Sequence, residues 1–258
     1  MIELELTFLG TGGCRICMLK QRRQTGGFIL RDKSFMMSVD PGPGALVYGI
    51  KKGLDLSKLN AIFVSHPHLD HEGDAEAMIE AMTGGCMVKK GLLISNKDYL
   101  SREPKFGSIS DYHRKAVERE LIVNDGDSHV FEENLKIEFI ELQHKNVETT
   151  GFKLSRGGKT FSYIPDTSMF EGIKEKYSGS DYIVISCPRT HRIEWKGHLG
   201  LKDVAELVGT IEPEKVYLNH LGVTFLDNIE EEKDWLKEKG IFDRVIIPDD
   251  NQTFHINI

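Results

Sequence analysis

The sequence predicts an α+β fold in one continuous domain over residues 1–258, with two β-sheets and helices packed outside them. Three observations predict it. Short runs rich in β-branched and aromatic residues recur along the whole chain. They fall into two hairpin-like groups, over Glu3–Val39 and Leu135–Pro165, each followed by alternating helices and strands. No low-complexity tract, Pro/Gly/Ser linker or fixed-period repeat divides the chain.

The first element, "MIELELTFLG", alternates apolar and charged residues as a half-buried strand does. "GTGG", Gly10 to Gly13, follows as a tight turn. It lacks the Lys-Ser/Thr of a phosphate loop and the spacing of a dinucleotide fingerprint. Cys14, Cys17 and the basic residues Lys20, Arg22 and Arg23 read as loop, the last three as a charged turn or a phosphate-steering patch. "FIL" and "FMMSV" complete the first group, and "AIFVS" is the strand that enters "SHPHLDHEGD".

Asp74 reads as the N-cap of a helix to Met82, with Ala77, Met78 and Met82 at helical spacing, its N-terminus toward the cluster. The polar stretch from Asn96 to Glu120 stays unassigned. "LKIEFIEL", "TGFKLS" and "KTFSYIP" form the second group. "DYIVIS", "KVYLN" and "RVIIP" then alternate with helices. One covers Leu201–Ile211 with Leu201, Val204, Ala205 and Val208 on one face; the other, "NIEEEKDWLKEKG", closes at Gly240.

A chain 40% hydrophobic, 28% charged and of net charge -7 suits a globular protein and argues against a general nucleic-acid coat. Local basic patches can still receive an anionic substrate. No apolar run approaches the roughly 20 residues of a membrane span. With no signal-peptide core and four cysteines, a cytoplasmic location with reduced thiols is expected.

"SHPHLDHEGD" packs three histidines and two aspartates into ten residues, groups costly to bury unpaired. On extended backbone His66, His68 and Asp70 share one face, and Pro67 disfavours helix at His66. His71 adds a fourth ligand as the chain turns into the next helix. Imidazole and carboxylate suit Zn²⁺, Fe or Mn. Two metals need further ligands, and His144, Asp166 and His220 each follow a strand while His198 precedes a helix. A lone His or Asp at a strand end is usually a turn residue; beside this cluster the four read together as a site.

These residues resemble the metallo-β-lactamase superfamily over nearly the whole chain. The likeness starts at "FLGTGG", passes "VDPG" and the His-x-His-x-Asp-His motif at 66–71, and continues with His144, Asp166 and His220 in order. The resemblance implies an αβ/βα sandwich. It implies one divalent ion on His66, His68 and His144, a second on Asp70, His71 and His220, and Asp166 bridging both. Zn²⁺ is the first expectation, with Mn²⁺ or Fe²⁺ as alternatives. His68 stands where flavodiiron-type relatives carry Glu, which favours a zinc-type hydrolase. Class B β-lactamases generally lack the carboxylate that Asp166 provides, which argues against antibiotic hydrolysis.

"GHLGLKDVAELVGTIEPEKVYLNHLG" resembles a segment of ribonuclease Z-like phosphodiesterases and of the cyclic phosphodiesterase of phosphonate catabolism, with Val204 where Ala is usual. It implies a phosphodiester substrate with His198 beside the scissile phosphate. The basic exosite arm by which ribonuclease Z grips transfer RNA has no counterpart in "KKGLLISNKDYLSREPKFGSISDYHRK". A small anionic phosphodiester, nucleotide-like or cyclic, is therefore expected. Hydroxide shared by two ions about 3.5–4 Å apart would attack. Asp70 would orient it or take its proton, and His198 would contact phosphoryl oxygen or protonate the leaving group.

A thioester or lactone hydrolase, an iron oxygenase of the persulfide dioxygenase type and a non-catalytic metal sensor remain alternatives. Arg189 or Arg192, before His198, is a candidate substrate contact. His113, His129 and His255 have no matching partners and read as surface residues. A homodimer is compatible with the sequence.

Overall fold

The computed structural model describes residues 3–101 and 109–258. Residues 102–108, part of the unassigned middle stretch in which the exosite arm was sought, lie outside the described residues. The chain begins β1 (Glu3–Phe8), α1 (Cys14–Lys20), β2 (Phe28–Arg31), β3 (Met36–Val39), α2 (Ala45–Lys51) and β4 (Ala61–Val64). It continues with α3 (Leu69–Glu72), α4 (Ala75–Thr83), β5 (Leu92–Ser95), α5 (Lys97–Leu100), α6 (Asp111–Ala116) and β6 (Arg119–Ile122). Next come β7 (Ser128–Val130), β8 (Lys136–His144), β9 (Val147–Arg156), β10 (Lys159–Ile164), α7 (Ile173–Lys176) and β11 (Tyr182–Ser186). Then follow α8 (Leu201–Ile211), β12 (Lys215–Asn219), α9 (Val223–Asp227), α10 (Ile229–Glu238), β13 (Val245–Ile246) and β14 (Thr253–Asn257).

Two seven-stranded sheets result, ordered β14-β1-β2-β3-β4-β5-β6 and β13-β12-β11-β10-β9-β8-β7. Each is mixed. The first is antiparallel from β14 to β3 and parallel from β3 to β6. The second is antiparallel from β7 to β10 and parallel from β10 to β13. This is the αβ/βα sandwich expected.

Period-two alternation sorts the side chains. In β4, Ala61 and Phe63 enter the core shared by both sheets, while Ile62 and Val64 enter the outer core beneath the helices. Phe28 meets Tyr163 edge-on across the sandwich, centroids 5.0 Å apart at 82°, and Phe63 meets Phe152 at 5.0 Å and 80°. Burial of each such ring contributes about 1.5–3 kcal/mol. On the far side, Leu201, Val204, Leu207 and Val208 of α8 pack over β11 and β12. Among the described residues no helix is long and apolar enough to cross a membrane.

Several local expectations need correction. Cys14–Lys20 is helical, not loop. Leu69–Glu72 is a helical turn, so Asp70 does not continue the extended alternation from His66. Asp74 stands at the N-cap of α4 as expected, but its side chain caps α2, Oδ2 accepting from Gly44 N and Leu46 N, each at 3.1 Å. The buried face of α4 is Ala75, Met78, Ile79 and Met82; Ala77 is half-buried. On α8, Leu207 takes the buried place expected of Ala205. Gly240 follows α10 at φ 69°, as its position suggested. β5, β6, β7 and β14 are strands that residue patterning did not identify.

Candidate metal centre

All the predicted ligands sit where strands end. β4 stops at Val64 and hands the chain to His66; His68, extended at φ -83° and ψ 140°, leads into α3, which carries Asp70 and His71. β8 ends on His144 itself. Asp166 lies two residues beyond β10, and His220 lies one beyond β12 in the left-handed region at φ 57°. Carboxyl ends of strands are where such sheets gather ligands.

The seven side chains converge in two groups. His66 Nε2 lies 2.9 Å from His68 Nδ1, which lies 3.4 Å from His144 Nε2. Asp70 Oδ2 lies 3.1 Å from His220 Nε2, and the His71 and His220 rings stack at 4.6 Å. Asp166 stands between the groups. Its Oδ2 is 4.0 Å from His144 Nε2 and 3.7 Å from His71 Nε2, and its Oδ1 is 3.4 Å from His220 Nδ1. His198 Nδ1 lies 3.3 Å from Asp166 Oδ2. His66, His68 and His144 could hold one ion, and Asp70, His71 and His220 another.

Charge is uneven across the cluster. Burial drives His66 well below the usual imidazole range, and His71 adds to the effect. Burial with the neighbouring His71 and His144 pushes His68 down to about 4, and burial lowers His144 as well. Lowering of this kind favours the neutral imidazole that a cation needs. Burial also opposes charge on His71 and His220, yet Asp40 and Asp166 hold His71 up at about 10 and Asp166 raises His220. Against burial, the hydrogen bond from His220 keeps Asp70 ionised, and the charges of His220 and His198 do the same for Asp166.

The donor set fits a pair of divalent ions on a further observation. His71 Nε2, Asp166 Oδ1 and His198 Nδ1 are buried without an aligned hydrogen-bond partner among the described residues. Leaving such a group unpaired costs about 1–3 kcal/mol. Cations at the two positions would supply partners to the first two.

Residues that sequence reasoning passed over position the ligands. Asp40, of the "VDPG" stretch, is buried and accepts from His71 Nδ1 at 2.8 Å, Ser65 Oγ at 2.6 Å and Tyr163 Oη at 2.7 Å. It thereby fixes which nitrogen of His71 faces the centre. The Gly197 carbonyl does the same for His144, accepting from Nδ1 at 2.5 Å. Gly13 is more than a turn residue, because a Cβ there would lie 2.1 Å from His220 Cγ. Gly13→Ala should displace that ring and weaken metal binding about 10–100-fold, as loss of orienting contacts does. Metal titration checks this, and an unchanged affinity would contradict it.

Above the cluster opens a cleft of about 620 Å³ whose walls include Asp70, His198, Arg15, Lys145, Arg189 and Trp195. Arg189 stacks on the Trp195 ring at 4.3 Å. Arg192 is not in its wall and pairs with Glu231. Arg22 and Arg23, just past α1, pair with Asp227 and Asp249, each at 2.8 Å, while Arg15 of α1 lines the cleft. Cys14 and Cys17 also border the cleft as free thiols, Cys14 Sγ 4.0 Å from His220 Nδ1. His255 is exposed and pairs with Glu3 at 2.7 Å, while half-buried His129 lies 3.4 Å from Arg119. The expectation for His113 fails, since it has close partners in Glu76 and Glu80. A larger groove, about 1110 Å³, runs past Glu5, Arg31 and Lys58 and shares no lining residue with the cluster.

A family model described as a beta-lactamase superfamily domain matches residues 37–221. The uncharacterized protein MJ1374 of Methanocaldococcus jannaschii is 31% identical over 229 residues, 86% of this chain and 84% of that protein. Ribonuclease Z of Sulfolobus acidocaldarius is 29% identical over 159 residues, 60% of this chain and 50% of that protein. Among solved structures, the metallo-beta-lactamase fold protein YhfI from Bacillus subtilis matches with a TM-score of 0.77 at 17% identity. That match covers 99% of this chain and 100% of YhfI, a likeness of fold.

Proposed function

The chain belongs to the beta-lactamase superfamily, and on that premise we propose that it hydrolyses a small phosphodiester at a pair of divalent ions. His66, His68 and His144 would hold one ion and Asp70, His71 and His220 the other, with the Asp166 carboxylate between the two groups. The nitrogen and oxygen donors suit Zn²⁺ first, with Mn²⁺ or Fe²⁺ as alternatives. Bound there, the pair supplies Lewis acidity and acidifies water at neutral pH.

The observation that carries the phosphodiester reading is the placement of His198. It lies in the cleft wall beside Asp166 and packs 4.9 Å from the His144 ring. Its backbone is pinned, since His198 N donates to Trp195 O at 3.2 Å and Gly197 N donates to Ser168 Oγ at 2.7 Å. There it binds a phosphoryl oxygen or gives a proton to the leaving alkoxide. Asp70, also in the wall, orients the attacking water or takes its proton. Arg15, Lys145 and Arg189 make the rim basic on an acidic protein, which draws an anion inward. The likeness to a ribonuclease Z supports the same substrate class.

A hydrolysis panel on metal-reconstituted protein tests this reading. It holds a bis-aryl phosphate, cyclic nucleotides, thioesters, lactones and a β-lactam, with Asp70→Ala as the control. Phosphodiesters should turn over in the wild type and not in the control. Turnover of thioesters or lactones with silent phosphodiesters would reject the substrate class while keeping the centre.

A further inference from the structure

We propose that Glu80, Cys86 and His113 form a separate zinc-binding site, sharing no residue with the histidine centre. One ligand atom from each lies within 4.8 Å of the other two. A tetrahedral zinc with ligands at about 2.0–2.3 Å sets its donors roughly 3–4 Å apart, so a small side-chain adjustment lets a single ion reach all three.

Three segments bring the donors together. Glu80 lies on the last turns of α4. Beyond the helix, Gly84, Gly85 and Cys86 are all left-handed, at φ 63°, 74° and 57°, and fold the chain back over the helix end. That conformation is unfavourable for a residue with a Cβ, such as Cys86. The turn is held by Cys86 N, which donates to Thr83 Oγ1 at 3.1 Å. His113 lies on α6, whose Ser110 N-cap accepts from His113 N, and α6 packs against α4. The Tyr112 hydroxyl borders the same sulfur.

A second observation concerns the imidazole. His113 Nε2 faces Glu80 Oε1 at 3.1 Å, while Nδ1 faces Glu76 Oε1 at 3.2 Å and Ser110 Oγ at 2.8 Å. In the tautomer whose Nε2–H donates to Glu80, the Ser110 hydroxyl can donate to Nδ1; in the other, Nδ1–H faces Glu76 and the Nε2 lone pair faces Glu80. A cation between Nε2 and Glu80 selects the second. Nδ1–H then donates to Glu76, the carboxylate–histidine–metal arrangement found around bound zinc. Thiolate, imidazole and carboxylate together favour zinc over magnesium or calcium, which take oxygen donors. The ion would tie α6 to the turn after α4, leaving its fourth position to water.

Cobalt substitution in the full chain tests the proposal. Thiolate-bound Co²⁺ gives a sulfur-to-cobalt charge-transfer band in the near ultraviolet, and the seven residues of the histidine centre contain no sulfur. Cobalt-saturated wild type should show the band and Cys14→Ser should keep it. Cys86→Ser and His113→Ala should lose it together with one bound ion per chain. In unmodified wild type, Zn²⁺ should shield Cys86 from alkylation, read by peptide mass spectrometry, so the outcome does not depend on a variant folding. The proposal is overturned by a cobalt-loaded wild type without the band, by a band that survives Cys86→Ser, or by alkylation equally fast with and without Zn²⁺.

Discussion

Asp166→Ala should abolish hydrolysis and remove at least one ion from the centre. The Asp166 carboxylate lies between the two ligand groups. Its two oxygens come within 4.0 Å of His71, His144, His198 and His220 nitrogens, and its side chain is only 3% exposed. Water can restore neither the bridge nor the charge in so closed a place. Changes in mere orienting partners cost about 10–100-fold in metal affinity or activity, so loss of the bridging ligand should exceed about 100-fold in turnover. Asp166→Asn separates shape from charge and should fail as well, because a neutral amide bridges two cations poorly. Elemental analysis and phosphodiester turnover on the same samples give the answer. Two ions and a wild-type rate in Asp166→Ala would remove the bridge from the mechanism.

His198→Ala should behave differently: both ions stay, while turnover falls about 10²–10⁴-fold, the usual contribution of a positioned acid or base. Although it lies within ligand distance of His144 and Asp166, its proposed partner is the substrate, and its backbone is anchored independently of its ring. The deficit should depend on the leaving group. An alkoxide needs a proton as it departs and an acidic phenolate does not, so a bis-aryl phosphate should show the smaller loss if His198 is the acid. An equal loss on both substrates assigns it to the phosphoryl oxygen instead. Full activity with either would exclude His198 from both roles.

Much of the candidate site was legible because its proposed ligands are chemically conspicuous and sit at strand ends. Three histidines and an aspartate between His66 and His71 have no structural use that cheaper residues could not serve, and β4, β8, β10 and β12 are strongly patterned. What stayed hidden depends on contacts distant in sequence. β14 pairs with β1 from the opposite end of the chain, and β5 is four residues long. Asp40 looks like any turn aspartate until folding buries it against His71, Ser65 and Tyr163. Gly13 looks like turn punctuation until His220 arrives against it. His113 and Cys86 are 27 positions apart by their residue numbers, with no motif linking them, and they meet through the left-handed turn after α4 and the packing of α6 on that helix. The α3 turn also passed unnoticed, since four residues carry little periodicity.

The central claim is that seven side chains, from His66 to His220, cage two cations around one carboxylate. Anomalous diffraction at the zinc edge from crystals of the reconstituted protein tests it most directly. Two peaks about 3.5–4 Å apart are expected, one among His66, His68 and His144 and one among Asp70, His71 and His220, with Asp166 between them. A lone peak, or none inside this ring of residues, would contradict the account.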